Sequence, residues 1–197
     1  MGAFATQLLP GLADPVFDTQ RVFRAVLDAL AQPGRVVRVP VILRPPAPLE
    51  TAAAAVLLTL ADFETPVWLQ DPRAAVYGYV RFHCGAPLVG RPREARFAVV
   101  TDPLAAPALA ELDSGDPEYP DRSTTLILQV RDLQCGSGVK LTGPGIRDAV
   151  HVAVGGLPSD FWRQWQRNHA LFPCGVDVVF ACGSTVMGLP RTTEVEA

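Results

Sequence analysis

The clearest pattern of apolar and polar positions lies near the start of the chain, in the segment "DTQRVFRAVLDALAQPG". Its apolar residues recur at the spacing of one helix face: Phe23, Val26, Leu27 and Leu30. Asp18 or Thr19 can cap the start of this helix, because their side-chain oxygens accept hydrogen bonds from free backbone N–H groups. Pro33 and Gly34 end it. The segment therefore predicts an amphipathic helix that lies with its apolar face on the core.

Four further segments have the composition of helices. The stretch "TAAAAVLLTLAD" is apolar almost all round, which predicts a mostly buried helix. The stretch "DPRAAVYGYVRFHCGAP" has a potential cap at Asp71 and a glycine stop at Gly85, as helices commonly do. The stretch "PSDFWRQWQRNHALFP" predicts a helix capped at Ser159. The stretch "DPLAAPALAEL" repeats the Asp-Pro start, although Pro107 limits its regularity.

Short apolar segments rich in β-branched residues predict strands between and after these helices. They are "RVVRVP", "TPVWLQ", "ARFAVV", "TTLILQV" and "VHVAVGG". Two hairpins are also predicted, one turning in "QCGSG" and returning as "VKLTG", the other turning at Gly183 and Ser184. Helices and strands alternate early, and strands dominate late. We therefore expect an α/β protein, a three-layer α/β/α sandwich with a mixed sheet, in which residues 1–197 form a single domain.

The composition agrees with a folded protein and excludes several classes of partner. Of the 197 residues, 49% are hydrophobic and 19% are charged, so a full core is expected. The net charge is −3 and no basic stripe is present, which argues against nucleic-acid binding. The longest apolar run, residues 52–61, is too short to cross a membrane. Because no secretion signal is recognisable, we expect a cytoplasmic protein.

The cysteines and the lysine offer little chemistry. The chain has four cysteines: Cys84, Cys135, Cys174 and Cys182. They form no C-x-x-C pair and no zinc-site spacing with a histidine, so we expect reduced, mostly buried thiols. His83 beside Cys84 resembles a base next to its nucleophile, but the side chains of neighbouring residues rarely converge on one point. Lys140 is the single lysine, and therefore the single candidate for a Schiff base.

The sequence contains no strong catalytic motif. The string "TGPGIR" supplies only two glycines of a dinucleotide fingerprint, because Asp148 occupies the position of the third. A P-loop, a G-x-S-x-G elbow and an H-E-x-x-H motif are all absent. His83, His151 and His169 are far apart in the sequence, so no metal site is predicted from them.

Two stretches carry groups that can hold an anion. The glycine loop "KLTGPGI" combines a lysine, the Thr142 hydroxyl and the flexible backbone of Gly143 and Gly145, and backbone N–H groups of such loops can point at an anion. The tail "LPRTTEVE" places Arg191 beside two threonine hydroxyls, and a guanidinium binds phosphate-like oxygens in a bidentate manner. The alternatives are an ordinary tight turn for the first stretch and a frayed polar tail for the second.

Seven segments spread over nearly the whole chain carry a family resemblance. They are "RVFRAVLDALAQPG", "LLTLADFETPVWL", "RFHCGAPLV", "TTLILQV", "LTGPGI", "FPCGVDVVF" and "LPRTTEVE". No single segment is a signature of a mechanism, but their common order makes the match specific. In these segments the chain resembles the H-subunit family (PhnH) of the bacterial carbon–phosphorus lyase system for phosphonate breakdown.

The resemblance implies a fold, partners and a reaction. The implied fold is a three-layer α/β/α sandwich related to the large domain of pyridoxal-phosphate-dependent transferases, without the cofactor and without its Schiff-base lysine. The implied assembly is a homodimer that joins subunits G, I and J in a core complex. That complex takes part in attaching a phosphonate to the ribose C1 of ATP with loss of adenine, giving a ribose 1-phosphonate 5-triphosphate. Catalysis of the adenine displacement is usually placed in subunit I.

Two hypotheses about the role of this chain follow. In the first, it is a non-catalytic homodimeric subunit that docks on the core complex and stabilises it. In the second, it binds phosphonate or nucleotide and contributes to the active site through these residues: His83, Thr142, Gly143, Gly145, Arg191, Thr192 and Thr193. The family resemblance of the tail also predicts that residues 190–193 are ordered, either at a subunit contact or beside the glycine loop.

Overall fold

The computed structural model describes residues 8–196. Its first helix, α1, covers Pro15–Ala31. The capping residue is Asp14, whose carboxylate accepts a hydrogen bond of 3.2 Å from the backbone N–H of Phe17. The prediction that Asp18 or Thr19 caps this helix is therefore wrong, because the Asp-Pro pair at residues 14–15 provides the same start signal one turn earlier.

Helix α1 carries apolar residues on two sides, and only one of these sides lies on the core. Val22 and Ala29 are buried, whereas Phe23 and Leu27, which the sequence pattern placed on the core, are more than half exposed. Gly188 lets α1 approach the sheet closely, since a Cβ at this position would lie 2.5 Å from the Ala29 carbonyl oxygen. The apolar periodicity therefore predicted the helix but only part of its buried face.

Among residues 8–196, six strands form the central sheet. Their bounds are β1 Val36–Arg38, β2 Val67–Leu69, β3 Phe97–Val100, β4 Thr125–Gln129, β7 Asp177–Cys182 and β8 Thr185–Leu189. Their spatial order is β1-β8-β7-β4-β3-β2. Strands β2, β3, β4 and β7 are parallel, and β8 runs antiparallel to both of its neighbours. The β7–β8 hairpin confirms the predicted turn at Gly183 and Ser184.

Side chains of the central strands alternate between two hydrophobic cores, one on each face of the sheet. On the first face, Ile127 and Val179 pack with α1, α2 (Thr51–Leu60) and α3 (Ala74–Cys84). On the second face, Leu128 and Phe180 pack with α4, which covers Phe161–His169. Helix α2 is almost completely buried, as its continuous apolar sequence predicts.

Two of the predicted helical segments differ from the structure. Helix α3 ends at Gly85 as predicted, but Arg73 precedes its first turn, and Asp71 instead accepts a hydrogen bond from the Arg73 N–H in the loop before it. The segment predicted as a helix after β3 forms two short 3-10 turns, Pro103–Ala105 and Leu109–Glu111. A proline between these turns lacks the N–H that a continuous helix would need.

A second sheet shares the second face of the central sheet with α4. It consists of β5 (Asp132–Thr142), β6 (Val150–Gly155) and β9 (Glu194–Glu196), in the order β6-β5-β9. The glycines of "QCGSG" do not form the predicted hairpin turn, because β5 continues through them with a bulge between Cys135 and Val139. A glycine with positive φ serves a bulge as well as a turn, so the sequence signal was ambiguous. Strand β9 was not predicted.

The fold is therefore of the mixed α/β class, as predicted, with a mixed sheet covered on both faces. One face carries helices alone, and the other carries α4 together with the second sheet. Helix α4 follows Asp160, one residue after the predicted cap at Ser159. Within residues 8–196, no helix is both long enough and apolar enough to cross a membrane.

Candidate functional site

The tail that follows β8 is ordered and packs on the body of the protein. It turns at Pro190, whose carbonyl oxygen accepts a hydrogen bond of 2.8 Å from the N–H of Thr193, and it then continues as β9. Strand β9 pairs with β5 so that Glu194 lies opposite Thr142, at the start of the glycine loop. Of the two places expected for residues 190–193, a subunit contact or the glycine loop, the structure shows them beside the glycine loop.

Helix α4 holds the tail through side chains on one of its sides. The indole Nε1 of the fully buried Trp165 donates a hydrogen bond of 2.9 Å to the carbonyl oxygen of Thr193. The Nδ1 atom of His169 lies 2.8 Å from the carbonyl oxygen of Arg191. Because a carbonyl oxygen can only accept, this nitrogen carries the proton. Both contacts give a hydrogen bond to a backbone carbonyl oxygen of the tail.

The guanidinium of Arg191 is surrounded by acceptors from the protein itself. Its Nε and Nη2 atoms donate to the two carboxylate oxygens of Asp177 at 3.1 and 2.5 Å. Nη2 also donates to the hydroxyl of Ser123 at 2.5 Å. Nη1 donates to the carbonyl oxygens of Pro120 and Pro173 at 2.8 and 3.4 Å. An arginine side chain has five N–H groups, and each of them has an internal acceptor here.

These contacts make Arg191 a structural anchor. The side chains of Arg191 and Asp177 are only 13% and 24% exposed. Asp177 begins β7, and Ser123 lies just before β4, so the guanidinium fastens the tail to the starts of two central strands. Binding an external anion through this guanidinium would require breaking hydrogen bonds that hold the fold together.

The glycine loop is a packed turn between β5 and β6. Gly143 and Gly145 have φ angles of +124° and +82°, which residues with a side chain rarely adopt. A Cβ at Gly143 would lie 2.9 Å from the carbonyl oxygen of Thr192, and a Cβ at Gly145 would collide with the carbonyl oxygen of Ala31. Contact with the tail and with the end of α1 therefore explains why glycine is required at both positions.

The three candidate threonines lie near one another but in different environments. Thr193 is fully buried, and its hydroxyl has no hydrogen-bond partner within residues 8–196. Thr142 is half-buried in β5 beside β9. Thr192 lines a shallow depression of about 370 Å³, which Asp121 and Asp177 also line. Arg191 lines the depression as well and is paired with Asp177. The carboxylate of Asp121 therefore leaves the lining without an excess of positive charge, which disfavours a bound anion.

His83 lies apart from this cluster, on α3. Its Nε2 atom is 3.0 Å from the carbonyl oxygen of Leu9, and its ring contacts Tyr79 and Phe82 edge-on. A Cβ at Gly11 would lie 2.6 Å from the Nδ1 atom. These contacts hold residues 9–11 against α3, and none of them involves the tail or the glycine loop. The structure therefore brings together six of the seven candidate residues and leaves out His83.

The two candidate nucleophiles also have structural surroundings. Burial raises the pKa of the Cys84 thiol to about 12, so this thiol is uncharged at neutral pH and a poor nucleophile. The Nζ atom of Lys140 lies 3.0 and 3.1 Å from the two carboxylate oxygens of Glu196, which links β5 to β9. Within the described part of the chain, no three His, Cys, Asp or Glu side chains are grouped so that they could hold a metal ion.

The residues that the sequence analysis missed are the partners of Arg191. Asp177 is a carboxylate at the start of an otherwise apolar strand, and that contrast is the signal by which it could have been found. Ser123 and the proline carbonyls carry no such signal. Together, the tail, the glycine loop and these partners form an anchor that can hold the end of the chain in place.

Comparison with known proteins relates the chain to phosphonate metabolism. The family model described as bacterial phosphonate metabolism protein (PhnH) matches residues 10–196. The chain is 42% identical over 186 residues to alpha-D-ribose 1-methylphosphonate 5-triphosphate synthase subunit PhnH of Rhizobium meliloti (strain 1021), with 93% of each chain covered. It is 32% identical over 180 residues to a protein of Stutzerimonas stutzeri provisionally named C-P lyase subunit protein HtxG, with 89% of this chain and 85% of that protein covered.

Proposed function

Because the chain belongs to the PhnH family of bacterial phosphonate metabolism proteins, we propose that it is a subunit of the carbon–phosphorus lyase core complex in phosphonate catabolism. Its role there is to support formation of a ribose 1-phosphonate 5-triphosphate from ATP and a phosphonate. The observation that carries this proposal is the 42% identity, over 93% of both chains, to a relative named as a subunit of the synthase of such a product.

Within the complex, the proposed role is structural, and the chain is inactive by itself. All five N–H groups of Arg191 bind internal acceptors, and the Cys84 thiol is uncharged at neutral pH because burial raises its pKa to about 12. The guanidinium of Arg191 is thus occupied by the fold, and the Cys84 thiol is not activated as a nucleophile. This supports a subunit, formed by residues 1–197 as one domain, that stabilises its partners.

The alternative is a phosphonate- or nucleotide-binding module that contributes to the active site. Such a site would depend on the backbone of Gly143 and Gly145 and the hydroxyls of Thr142 and Thr192, since Arg191 is already engaged. In the depression beside Thr192, Arg191 is already paired with Asp177 and Asp121 adds a further negative charge, which weighs against it. Calorimetric titration of ATP or methylphosphonate into the isolated chain tests this alternative. Heat of binding would favour it, and a flat trace would count against it.

The proposal includes a homodimer that contacts subunits G, I and J. Support for the homodimer comes from the α1 stripe, three apolar side chains on the outer side of α1: Val16, Phe23 and Leu27. All three are more than half exposed. Arg24 and Asp28 flank the stripe one helical turn apart. In two copies of α1 packed antiparallel, Arg24 of each copy can therefore lie near Asp28 of the other.

Two further parts of the proposal concern the fold and the location. We propose a relation to the large domain of pyridoxal-phosphate-dependent transferases, without the cofactor, and a mixed six-stranded sheet covered on both faces is compatible with this. We also propose a cytoplasmic location. All four cysteines are free thiols in the structure, as is usual in reducing compartments.

The central proposal is tested by co-expression of this chain with subunits G, I and J. Release of adenine from ATP and methylphosphonate is then measured for the complex purified with and without the chain. We expect the four proteins to purify together and adenine release to depend on this chain. The proposal fails if the chain remains separate from the other three, or if adenine is released equally well without it.

A further inference from the structure

A preformed cleft lies on α4, on the side opposite to Trp165 and His169. It is enclosed by the helix and by residues 108–114, and it has a volume of about 420 Å³. Its apolar lining includes Leu109, Leu112 and Leu171. Leu109 and Leu112 are themselves anchored in the core of this face. We refer to this feature as the α4 cleft.

The polar side chains in the walls of the α4 cleft are largely bound to the fold. Gln164 accepts a hydrogen bond of 2.9 Å from the N–H of Leu109 and donates one of 3.1 Å to the carboxylate of Asp160. The side chain of Asn168 accepts a hydrogen bond of 2.7 Å from the N–H of Val176 and donates one of 2.9 Å to the carbonyl oxygen of Val176. These bonds fix the shape of the cleft and leave it with a mainly apolar interior.

The apolar surface continues beyond the mouth of the cleft. Leu171 lines the cleft and is 52% exposed, and Phe172, the next residue, is 59% exposed. Phe172 also lines the depression beside Thr192 that is described above. A cleft and two adjoining exposed apolar side chains form a surface of the kind that marks contacts between proteins.

Two arginines beside the α4 cleft have no ion-pair partner within residues 8–196. Arg167 lines the α4 cleft, and Arg163 lies one helical turn earlier on the same side of the helix. Two like charges one helical turn apart repel each other. The pair is a local positive charge on a chain whose net charge is −3. Carboxylates from a partner would relieve this repulsion.

We propose that the α4 cleft, with Leu171 and Phe172, is the docking site for a segment of another subunit of the complex. The segment would insert an apolar side chain into the cleft and place carboxylates against Arg163 and Arg167. An apolar anchor in a pocket with charges at the rim is a common form of protein interface. This inference rests on the proposed function, because it takes the partner to be one of the other subunits.

Two other occupants fit the surface less well. A phosphonate or nucleotide needs several donors around its oxygens, whereas the cleft offers the guanidinium of Arg167 and, in the same lining, the carboxylate of Asp160. A second copy of this chain, related by a two-fold axis, would bring Arg163 and Arg167 near the same arginines of its partner. Charge complementarity therefore favours an acidic and apolar segment of a different protein.

The test is co-expression of subunits G, I and J with wild-type chain or with variants of the docking site. One variant combines Arg163→Glu with Arg167→Glu, and another is Leu171→Asp. The matched controls are Arg44→Glu and Ile42→Asp, on a different part of the surface. Arg44 is exposed and has no ion pair with any residue from 8 to 196, and Ile42 is a highly exposed apolar residue. Circular dichroism and thermal unfolding of each isolated chain check that it is folded.

We expect both docking-site variants to fold and to co-purify with the other subunits at least tenfold less than wild type, while both controls co-purify normally. Wild-type binding should weaken as salt is raised, because exposed charges are screened. If wild type joins the complex and the folded variants join equally well, the inference is wrong while the proposed function stands. If wild type does not join, the proposed function fails first. Loss of self-association alone would identify a second copy as the occupant and overturn the inference.

Discussion

Asp177 binds both the main chain and the side chain of Arg191. Its Oδ1 atom accepts hydrogen bonds from the backbone N–H at 2.7 Å and from Nε at 3.1 Å, and its Oδ2 atom accepts one from Nη2 at 2.5 Å. The position of the tail is thereby coupled to the first residue of β7. Removing either side chain would leave the other charge largely enclosed by protein.

Replacing Arg191 with alanine is expected to lower the free energy of unfolding by roughly 2–4 kcal/mol, because Asp177 would lose its partner in a mostly buried site. Arg191→Lys should cause a smaller but clear loss, since an ammonium cannot make the bidentate contact. Urea unfolding followed by circular dichroism measures both changes. The control is Arg44→Ala, at an exposed arginine, which should change stability by less than about 0.5 kcal/mol.

The coupling between the two residues can be measured separately. The double variant Arg191→Ala with Asp177→Ala should be less destabilised than the sum of the two single variants, because no charge is left without a partner. Strictly additive effects, or an Arg191→Ala variant as stable as wild type, would contradict the structural role of this pair.

Gly145→Ala is expected to destabilise the protein by roughly 2–4 kcal/mol, because alanine would combine an unfavourable φ with a collision against the carbonyl oxygen of Ala31. The matched control is Gly78→Ala, in α3, where a Cβ would meet no atom within 4 Å. That change should stabilise the protein by about 0.5–1 kcal/mol through helix propensity. Thermal unfolding distinguishes the two, and shifts in the same direction would contradict the packing of the glycine loop on α1.

Alkylation should separate Cys84 from the exposed Cys135 in the folded protein. A thiol pKa of about 12 leaves Cys84 with roughly a thousandfold less thiolate at pH 8 than an ordinary cysteine has. Iodoacetamide labelling followed by peptide mass spectrometry should therefore modify Cys135 first, and both equally in urea. Equal labelling rates in the folded state would contradict the burial of Cys84.

The same pKa shift has a consequence for stability at high pH. The folded state holds the Cys84 proton more tightly than the unfolded chain does, because burial raises the pKa of this thiol from its ordinary value of 9.0 to about 12. The resulting stabilisation is fully present below the unfolded pKa and is lost as the pH rises through the folded pKa. Thermal unfolding measures this effect. Between about pH 9 and pH 12, the unfolding temperature of the wild type should fall relative to that of Cys84→Ala.

The proposed homodimer can be tested on the α1 stripe. Light scattering should show a dimer for wild type and a monomer for the variant carrying Phe23→Asp and Leu27→Asp, since two charges would be buried without partners in the interface. Phe63→Asp, at a largely exposed residue outside α1, is the control and should remain dimeric. A monomeric wild type, or a dimeric double variant, would count against this interface.

Elements with one strong local signal were predicted well from the sequence. Helix α2 and the β7–β8 hairpin are examples, because a continuous apolar run and a two-residue turn leave few alternatives. The glycines of β5 were misassigned because positive φ serves a turn and a bulge equally. Here β5 pairs with β6 on both sides of these glycines, so they form a bulge and not a turn. The local sequence does not show this pairing.

The candidate site shows the same limit. The sequence singled out the tail and the glycine loop, but it left open whether they lie together and suggested an anion for Arg191. The acceptors of that guanidinium come from Pro120, Ser123, Pro173 and Asp177. A motif shows which donors a residue has, whereas only the tertiary structure shows whether the protein already occupies them.

The pairing of β1 with β8 has a consequence for how the protein is made. Within the described sheet, the N-terminal edge strand has β8 as its neighbour, with Val36 opposite Met187, and α1 also packs closely on β8 at Gly188. At about 5–20 residues per second, translation reaches β8 roughly 8–30 s after β1. The first helix and strand are therefore synthesised well before β8, against which both of them pack, and the central sheet can close only near the end of synthesis.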